Sequence, residues 1–234
     1  MTPPGPGLSK DRPVPPTAKG GDRREKLLDV TEDILVTRGN AELSLRAVAA
    51  GAGVRLGHLQ YYFPSRADLI NAVLARVLER SLRQVSEITG PEAEGDPVRR
   101  HDPVRPVQDP VEEDDRPIRD SVRPVRVLLM QHQDGRLVRL FTEIWAMAAH
   151  DEGVATAVRA FYRDYTGHVA EFVHRLAPGL PRQACRARAE TFVMLVEGAA
   201  LFRSGIASEA SAETDAELLR TAVALLGGDP PSAP

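Results

Sequence analysis

Apolar residues recur every three or four positions along most of the chain, which is the period of an α-helix. Residues 25–38, for example, place Leu27, Val30, Ile34 and Leu35 on one face. No segment shows the strict alternation of apolar and polar residues that is typical of a half-buried β-strand. The pattern therefore predicts an all-α protein.

The N-terminal part divides into short helices whose ends are marked in the sequence. Gly39 predicts the end of the first helix, and Ser44 is a suitable N-cap for the helix LRAVAAGA. Gly53 permits a tight turn before another short helix, which Pro64 ends. A long helix then follows over about 65–88, and three short helices in succession predict a compact N-terminal unit.

From residue 122 onward, five segments with helical apolar spacing predict a bundle, the last closed by Gly227 and Gly228. The segments are VRPVRVLLMQHQ, GRLVRLFTEIWAMAAH, DEGVATAVRAFYRDYTGHVAEFVHRL, PRQACRARAETFVMLVEGAALFRSG and DAELLRTAVALL. The long helix over 65–88 is expected to join this bundle to the N-terminal unit.

Two segments have the composition of disordered chain. Residues 1–22 are rich in proline and glycine, and residues 90–119 contain the ragged repeat DPVRR, DPVRP and DPVEE without aromatic residues. Such segments bury too little apolar surface to offset the entropy lost on ordering. We expect a disordered arm and a disordered insert, although the insert would also suit a cover for a ligand site or a tail that binds a partner.

Composition and charge exclude several classes of protein. The chain has 234 residues, and its formal charge of −3 means that any nucleic-acid footprint must be local. The single cysteine, Cys185, excludes an intrachain disulfide framework and fits a reducing compartment. No apolar run approaches the roughly 18 residues of a membrane span, and the N-terminus lacks the pattern of a signal peptide. We therefore expect a cytoplasmic protein without membrane association.

The segment GVRLGHLQYYFPSRADLI is unusually polar and aromatic for a short helix. Leu59 and Phe63 share a face that is expected to be buried, whereas Leu56 and Gln60 share another face, with Gly57 beside them. A few side chains for base edges, flanked by groups for phosphates, are what a helix in the major groove needs. The flanking donors are His58, Tyr61, Tyr62 and Arg66.

The chemistry of these side chains leaves several roles open. Gln60 suits a bidentate pair with adenine, worth roughly 1–3 kcal/mol of discrimination. Arg55 suits guanine or a phosphate, and Tyr62 suits a phosphate or a half-buried position that supports the core. Upstream basic residues supplement phosphate binding, enter the minor groove or remain solvated: Lys10, Arg12, Lys19, Arg23, Arg24 and Lys26.

The stretch SLRAVAAGAGVRLGHLQYYFPSRADLI resembles the DNA-binding segment of TetR-family transcriptional regulators, over about 26–77. The resemblance implies a helix-turn-helix DNA-binding domain over 23–68 and a ligand-binding and dimerisation bundle over 69–228. It also implies that Arg46 contacts a base or phosphate, that Leu56, Gly57 and Gln60 face bases, and that His58, Tyr61, Tyr62 and Arg66 hold phosphates. His58 and Gln60 depart from the residues frequent at their positions, so the resemblance does not imply an operator sequence.

The C-terminal half concentrates most of the remaining aromatic residues at helical spacing. Such stripes pack cores more often than they bind ligands, but the polar groups among them favour a cavity between bundle helices. The resemblance places a small-molecule pocket there, and this half resembles the choline-responsive repressor branch of the family. The pocket candidates are Phe141, Glu143, Trp145, Phe161, Tyr165, His168 and Phe172.

The last two helices are expected to form a four-helix interface between two subunits, as the resemblance implies. One short helix contacts only a few base pairs, whereas two helices about 34 Å apart contact both halves of a palindrome. The interface candidates are Phe192, Val196, Ala199, Ala200, Leu218, Ala222 and Leu225.

We therefore predict a homodimeric, sequence-specific repressor that binds double-stranded DNA and that a small-molecule effector releases from a palindromic operator. Two alternatives remain open at this point: an architectural DNA-binding protein, and an activator. The six histidines lack an HExxH spacing, and no G-x-S-x-G, P-loop or dinucleotide motif occurs. The sequence thus predicts no enzyme, no metal site and no cofactor.

Overall fold

The computed structural model describes residues 18–90, 124–129 and 134–227, and within them the regular structure is entirely helical. This confirms the prediction of an all-α protein. None of the helices in these residues is long and apolar enough to cross a membrane. The elements are α1 (Ala18–Arg38), a 3₁₀ turn (Asn40–Glu42), α2 (Leu45–Ala52), α3 (Leu56–Tyr62), α4 (Arg66–Thr89), α5 (124–129), α6 (Gly135–Ala148), α7 (Glu152–Leu176), α8 (Arg182–Arg203) and α9 (Ala212–Gly227).

The first helix differs from its prediction at one end. It begins at Ala18, inside the predicted arm, whereas the apolar pattern becomes visible only from residue 25. The first turns of α1 lie beyond the core that produces the pattern. They therefore carry no apolar residues whose spacing would reveal a helix in the sequence. The rest of the predicted arm, and nearly all of the predicted insert, lie outside the described residues.

Local capping explains why α2, α3 and α4 begin and end where they do. The Ser44 hydroxyl accepts a hydrogen bond from the Ala47 amide at 3.1 Å, and Gly53 ends α2 in the left-handed conformation with φ 69°. Ser65 and Asp68 form a reciprocal capping box at the start of α4. These caps fix the two sharp turns that orient α3.

Two arginines attach α4 to α1, and one of them, Arg80, lies with Nη2 3.2 Å from Glu32 Oε2. The Arg76 guanidinium donates to Glu25 Oε2 at 3.0 Å, to Asp29 Oδ1 at 2.8 Å and, through Nε, to Glu32 Oε1 at 2.8 Å. The side chains of Arg76 and Glu32 are only 18% and 14% exposed, so these contacts are more protected from solvent than an ordinary surface ion pair. On the apolar side of α4, Leu69, Val73 and further residues complete the same small core.

The C-terminal bundle is built around α7, which packs against α4, α6 and α8, while α9 packs against α8. One buried arginine, Arg203, links α8 to α9 and to α5. The Arg203 side chain is 6% exposed, and it bonds Asp215 on α9 at 2.8 Å and the Leu129 carbonyl of α5 at 3.2 Å. The bundle thus encloses a continuous apolar core that extends into the N-terminal unit through α4.

Candidate nucleic-acid interface and bundle cavity

Helix α3 presents one buried face and one exposed face, as its sequence predicts. Leu59 and Phe63 are 0% and 2% exposed and pack into the small core. Gln60 is exposed, and Tyr61 is 81% exposed, which is unusual for so large a ring. A large aromatic side chain has little reason to stand in water unless a partner covers it. The exposed face is therefore a candidate contact surface.

Aromatic contacts orient the side chains at the margin of α3. The His58 ring stacks on Tyr62 with centroids 5.9 Å apart, and Tyr61 meets Tyr62 edge to face at 5.2 Å. Tyr62 is half-buried and packs against the core. Its ring therefore supports the two neighbouring side chains. The role of its hydroxyl as a phosphate ligand stays a prediction.

Basic residues from α1 lie beside this margin. Arg23 Nη1 approaches His58 Nε2 at 3.5 Å, and Lys26 and Tyr62 line the same recess between α1, α3 and the turn at Gly53. The recess measures about 180 Å³. From the sequence alone, Arg23 and Lys26 were expected either to remain solvated or to contact DNA. Their convergence with His58 favours phosphate binding.

The charges of α1 are separated onto two faces. Its carboxylates at Glu25, Asp29 and Glu32 face α4 and are held by Arg76. Arg23 and Lys26, three residues apart, lie on the side that carries α3. The separation produces a local basic surface in a chain whose overall formal charge is −3.

The three predicted arginine contacts differ in their surroundings. Arg46 and Arg55 are exposed at the start of α2 and immediately before α3. Arg66, in contrast, donates from Nε to the Leu43 carbonyl at 2.9 Å and from Nη2 to Asn40 Oδ1 at 2.6 Å. Arg66 thus holds the turn between α1 and α2, and a phosphate contact through its remaining N–H groups stays a prediction.

Comparison with known proteins places this arrangement in a family. A family model described as bacterial regulatory proteins of the tetR family matches residues 27–73, and a model described as the C-terminal part of BetI-type transcriptional repressors matches residues 120–228. The chain belongs to the TetR family of transcriptional regulators. Its α2 and α3 are accordingly the helix-turn-helix, and the protein is a DNA-binding regulator of transcription.

Individual relatives agree with this assignment. A HTH-type transcriptional regulator in the dhlA 5′ region of Xanthobacter autotrophicus, described as uncharacterized, is 29% identical over 207 residues, 88% of this chain and 90% of that protein. The HTH-type transcriptional repressor KstR of Rhodococcus jostii is 41% identical over 59 residues, 25% of this chain and 28% of that protein. A transcriptional regulator of Rhodococcus sp. RHA1 has the same fold, with a TM-score of 0.64 at 21% identity over 89% of this chain and 99% of that one.

The TetR-family bundle contains a small cavity between α4, α6, α7 and α8. Its volume is about 40 Å³, far below the roughly 300–1,000 Å³ of a typical ligand pocket, and the exposed Gln84 stands at its open rim. Three of the predicted pocket residues line it: Phe141, Phe161 and Tyr165. The other lining residues are Ser81, Gln84, Val85, Leu137, Val138 and Glu197.

Four predicted pocket residues lie elsewhere. Glu143 faces the N-terminal unit, where its Oε2 accepts the Asn40 amide at 2.8 Å, because two residues along a helix turn a side chain about 200° away from Phe141. Trp145 packs edge to face on Phe141 and does not line the cavity. His168 and Phe172 lie further along α7 than Phe161 and Tyr165, which line it.

The polar groups around the cavity are of two kinds. The Trp145 indole donates to the Tyr162 hydroxyl at 3.0 Å, and Tyr162 also hydrogen-bonds Glu197. By contrast, the buried hydroxyls of Ser81 and Tyr165 have no hydrogen-bond partner among the described residues. An unpartnered buried hydroxyl is costly, so these two are free to bind a ligand that enters the cavity.

The tyrosine hydroxyls next to Glu197 are held in their neutral form. Burial raises the pKa of Tyr162, and the negative charge of Glu197 raises it further. Burial likewise raises the pKa of Tyr165 well above its ordinary value, with additional contributions from Glu197 and Tyr162. Both hydroxyls therefore remain able to donate hydrogen bonds throughout the physiological pH range.

The sequence carried a signal for the lining residues that were not predicted. Ser81 interrupts the apolar stripe of α4, and Glu197 places a carboxylate inside the apolar run MLVEGAAL. A polar residue within an apolar stripe is the kind of position at which buried polar chemistry is expected.

The predicted dimer residues divide into two groups. Phe192, Val196, Ala200 and Ala222 are at most 4% exposed and pack inside their own chain, so they support α8 and α9 from within. Ala199, Leu218 and Leu225 are partly exposed. The exposed apolar residues of this region were not predicted: Met194, Leu201, Phe202 and Ile206.

Proposed function

We propose that this TetR-family protein is a homodimeric repressor that binds a palindromic operator and is released from it by a small molecule in the cytoplasm. The observation that carries the proposal is the exposed face of α3, on which Gln60 and Tyr61 stand beside the basic recess of Arg23, Lys26 and His58. This face combines a group for base edges with groups for phosphates.

Within this proposal, Gln60 pairs with a base, and Leu56 and Gly57 allow α3 to approach the floor of the major groove. Arg46 and Arg55 contact phosphates on either side of α3. The basic recess binds a further phosphate, and Tyr61 covers the sugar-phosphate backbone. Because phosphate contacts release counterions, operator affinity is expected to fall steeply with salt.

The exposed apolar side chains of α8 support a dimer. Met194 is 71% exposed and Phe202 is 59% exposed, and Leu201 and, just after the end of α8, Ile206 are exposed as well. Burying these side chains against a second copy removes them from water at roughly 25 cal/mol per Å². Two copies joined here would present two α3 helices to one duplex.

The cavity chemistry supports an effector with an apolar body and a hydrogen-bonding or positively charged group. Phe141, Phe161 and Tyr165 supply apolar and aromatic surface, while the carboxylate of Glu197 disfavours an anion. The Ser81 and Tyr165 hydroxyls supply two further hydrogen-bonding groups.

DNA capture tests the proposed operator binding. Purified protein is incubated with sheared genomic DNA at a fixed salt concentration, and the bound fragments are sequenced. We expect a few enriched fragments that share an inverted repeat, lost with Gln60→Ala and retained with Gln183→Ala, which removes an exposed glutamine from α8. Diffuse recovery without a shared repeat would show an architectural DNA-binding protein, and no recovery would contradict DNA binding by α3.

Light scattering coupled to size-exclusion chromatography tests the dimer with two matched charge insertions. Phe202→Glu is expected to give a monomer, because a carboxylate would have to be buried in the interface. Tyr61→Glu, at another exposed aromatic residue, is expected to remain dimeric while losing DNA binding. A dimer that persists in Phe202→Glu would contradict an interface at these side chains.

A further inference from the structure

Helices α1 to α4 form one mechanical unit. Leu69 and Val73 of α4 are fully buried in the core of the DNA-binding domain, and Arg76 binds three carboxylates of α1. Any movement of α4 therefore carries the DNA-binding helices with it. The C-terminal half of the same helix supplies Ser81 and Val85 to the cavity wall.

Helix α6 connects to this unit through two polar contacts. Glu143 Oε2 accepts the Asn40 amide at 2.8 Å, and Arg136 Nη2 lies 3.2 Å from Asp33 Oδ1. The two contacts are seven residues apart along α6 and seven residues apart along α1 and the turn that follows it, so the two helices run side by side in the same direction. The Arg136 pair is exposed and is expected to contribute little, which leaves Glu143 as the stronger contact.

The Glu143 contact is closely fitted. A Cβ atom added at Gly39 would lie 3.2 Å from Glu143 Oε1, so the carboxylate sits directly over the turn that ends α1. The other side of the same turn is held by Arg66, whose guanidinium bonds the Asn40 side chain and the Leu43 carbonyl. The position of this turn therefore depends on both helices that line the cavity, α4 through Arg66 and α6 through Glu143.

The opposite side of α6 forms a wall of the cavity. Leu137, Val138 and Phe141 face Ser81 and Val85 of α4 across a space of about 40 Å³. The part of an organic molecule that is seated between these walls needs more room than about 40 Å³. Because protein interiors are close-packed, that room is gained by a discrete shift of one wall away from the other. Separation of α4 from α6 pulls directly on the bond between Glu143 and Asn40.

We propose that Glu143 is the positioning residue through which the cavity controls DNA binding. Its bond to Asn40 holds the α1–α4 unit in the orientation that fits the operator, and a molecule that fills the cavity breaks this bond. The inference rests on the proposed function, since it takes the small, unfilled cavity as the operator-binding state. Filling the cavity then shifts the population towards orientations that bind the operator weakly.

Over-packing substitutions replace the unidentified effector in the test. Ser81→Phe places a phenyl ring in the cavity and Ser81→Ala does not, so the pair isolates the effect of filling. Gln84→Phe, at an exposed position of the cavity rim, serves if Ser81→Phe does not fold. Glu143→Ala removes the contact to Asn40, whereas Glu143→Gln keeps an acceptor for that amide. Glu171→Ala, which removes an exposed carboxylate paired with Arg182, is the control.

The first measurement needs no DNA. Amide hydrogen exchange at Asn40 is expected to accelerate at least about tenfold in Glu143→Ala and in Ser81→Phe, since each removes the same hydrogen bond. Glu143→Gln, Ser81→Ala and the control are expected to exchange at the wild-type rate. Unchanged exchange in Ser81→Phe would overturn the inference, whatever the outcome for operator binding.

The second measurement is operator affinity on a captured duplex. Glu143→Ala and Ser81→Phe are each expected to weaken binding about tenfold, and the double variant no more than either alone, because both act through one contact. Glu143→Gln restores affinity. Multiplicative losses of about a hundredfold in the double variant would show independent effects and would overturn the inference. Failure of the wild type to bind any operator would instead contradict the proposed function.

Discussion

Two tyrosines on one helix provide a matched test of the cavity chemistry. Tyr162 and Tyr165 lie three residues apart on α7, and burial raises the pKa of both. Only the Tyr162 hydroxyl has partners among the described residues, the indole of Trp145 at 3.0 Å and the carboxylate of Glu197. Replacement by phenylalanine removes one hydroxyl in each case and leaves the ring.

The two substitutions are expected to change the free energy of unfolding differently. Tyr162→Phe removes two hydrogen bonds and leaves the Trp145 N–H without its acceptor, which costs about 2 kcal/mol of unfolding free energy. Tyr165→Phe removes a buried hydroxyl that has no partner, so unfolding free energy is unchanged or rises by about 1 kcal/mol. For a chain of this length, each kcal/mol shifts the melting temperature by roughly 2–4 °C.

Thermal unfolding followed by circular dichroism at 222 nm measures both shifts. We expect Tyr162→Phe to melt roughly 4–8 °C below the wild type and Tyr165→Phe to melt at or slightly above it. Tyr165→Phe is also expected to bind the operator normally but to respond less to the effector, because a group that would bind it is missing. Equal destabilisation by the two substitutions would mean that the Tyr165 hydroxyl has a partner, and would contradict its role as a free hydrogen-bonding group of the cavity.

Three further predictions concern the N-terminal unit and the pH dependence of folding. Arg76→Ala is expected to cost about 2 kcal/mol in a denaturant titration, because three carboxylates of α1 lose their shared partner and the mostly buried Glu32 keeps only Arg80. Arg83→Ala, at an exposed pair, is expected to cost under about 0.5 kcal/mol. Equal costs would contradict the role of Arg76. Gly39→Ala is expected to cost about 1–2 kcal/mol in the same titration, because its φ of 79° is left-handed, and an unchanged midpoint would contradict this. Raised pKa values of Tyr162 and Tyr165 stabilise the fold below about pH 10 and are expected to lower its unfolding free energy above that pH, where only the unfolded chain ionises. A melting temperature that is the same at about pH 8 and about pH 11 would contradict this pH dependence.

The sequence predicts the fold well because the relevant interactions are local. Helical spacing of apolar residues, the Ser44 cap and the Ser65 capping box determine α2 to α4, and all three operate within a few residues. The start of α1 at Ala18 was not predicted, because its first turns carry no apolar stripe. Periodicity detects only the part of a helix that faces a core.

The site was predicted less completely because it depends on which elements meet. Helical spacing predicted Phe141, Phe161 and Tyr165 in the cavity, but Glu143 was grouped with them although it faces the opposite side of α6. The contribution of Ser81 from α4 required the packing of α4 against α7, which has no local signature. Charge separation on α1 likewise becomes visible only when Arg76, about fifty residues away, is placed over its carboxylates.

A residue-by-base cycle tests whether Gln60 on α3 contacts a base of the operator. Fluorescence anisotropy at one fixed salt concentration measures the affinity of wild type and Gln60→Ala for the captured duplex and for duplexes with single substitutions in the inverted repeat. We predict that Gln60→Ala weakens operator binding about 10–100-fold and abolishes discrimination at one A·T pair in each half-site, while discrimination elsewhere persists. Equal discrimination by both proteins at every position would contradict this contact.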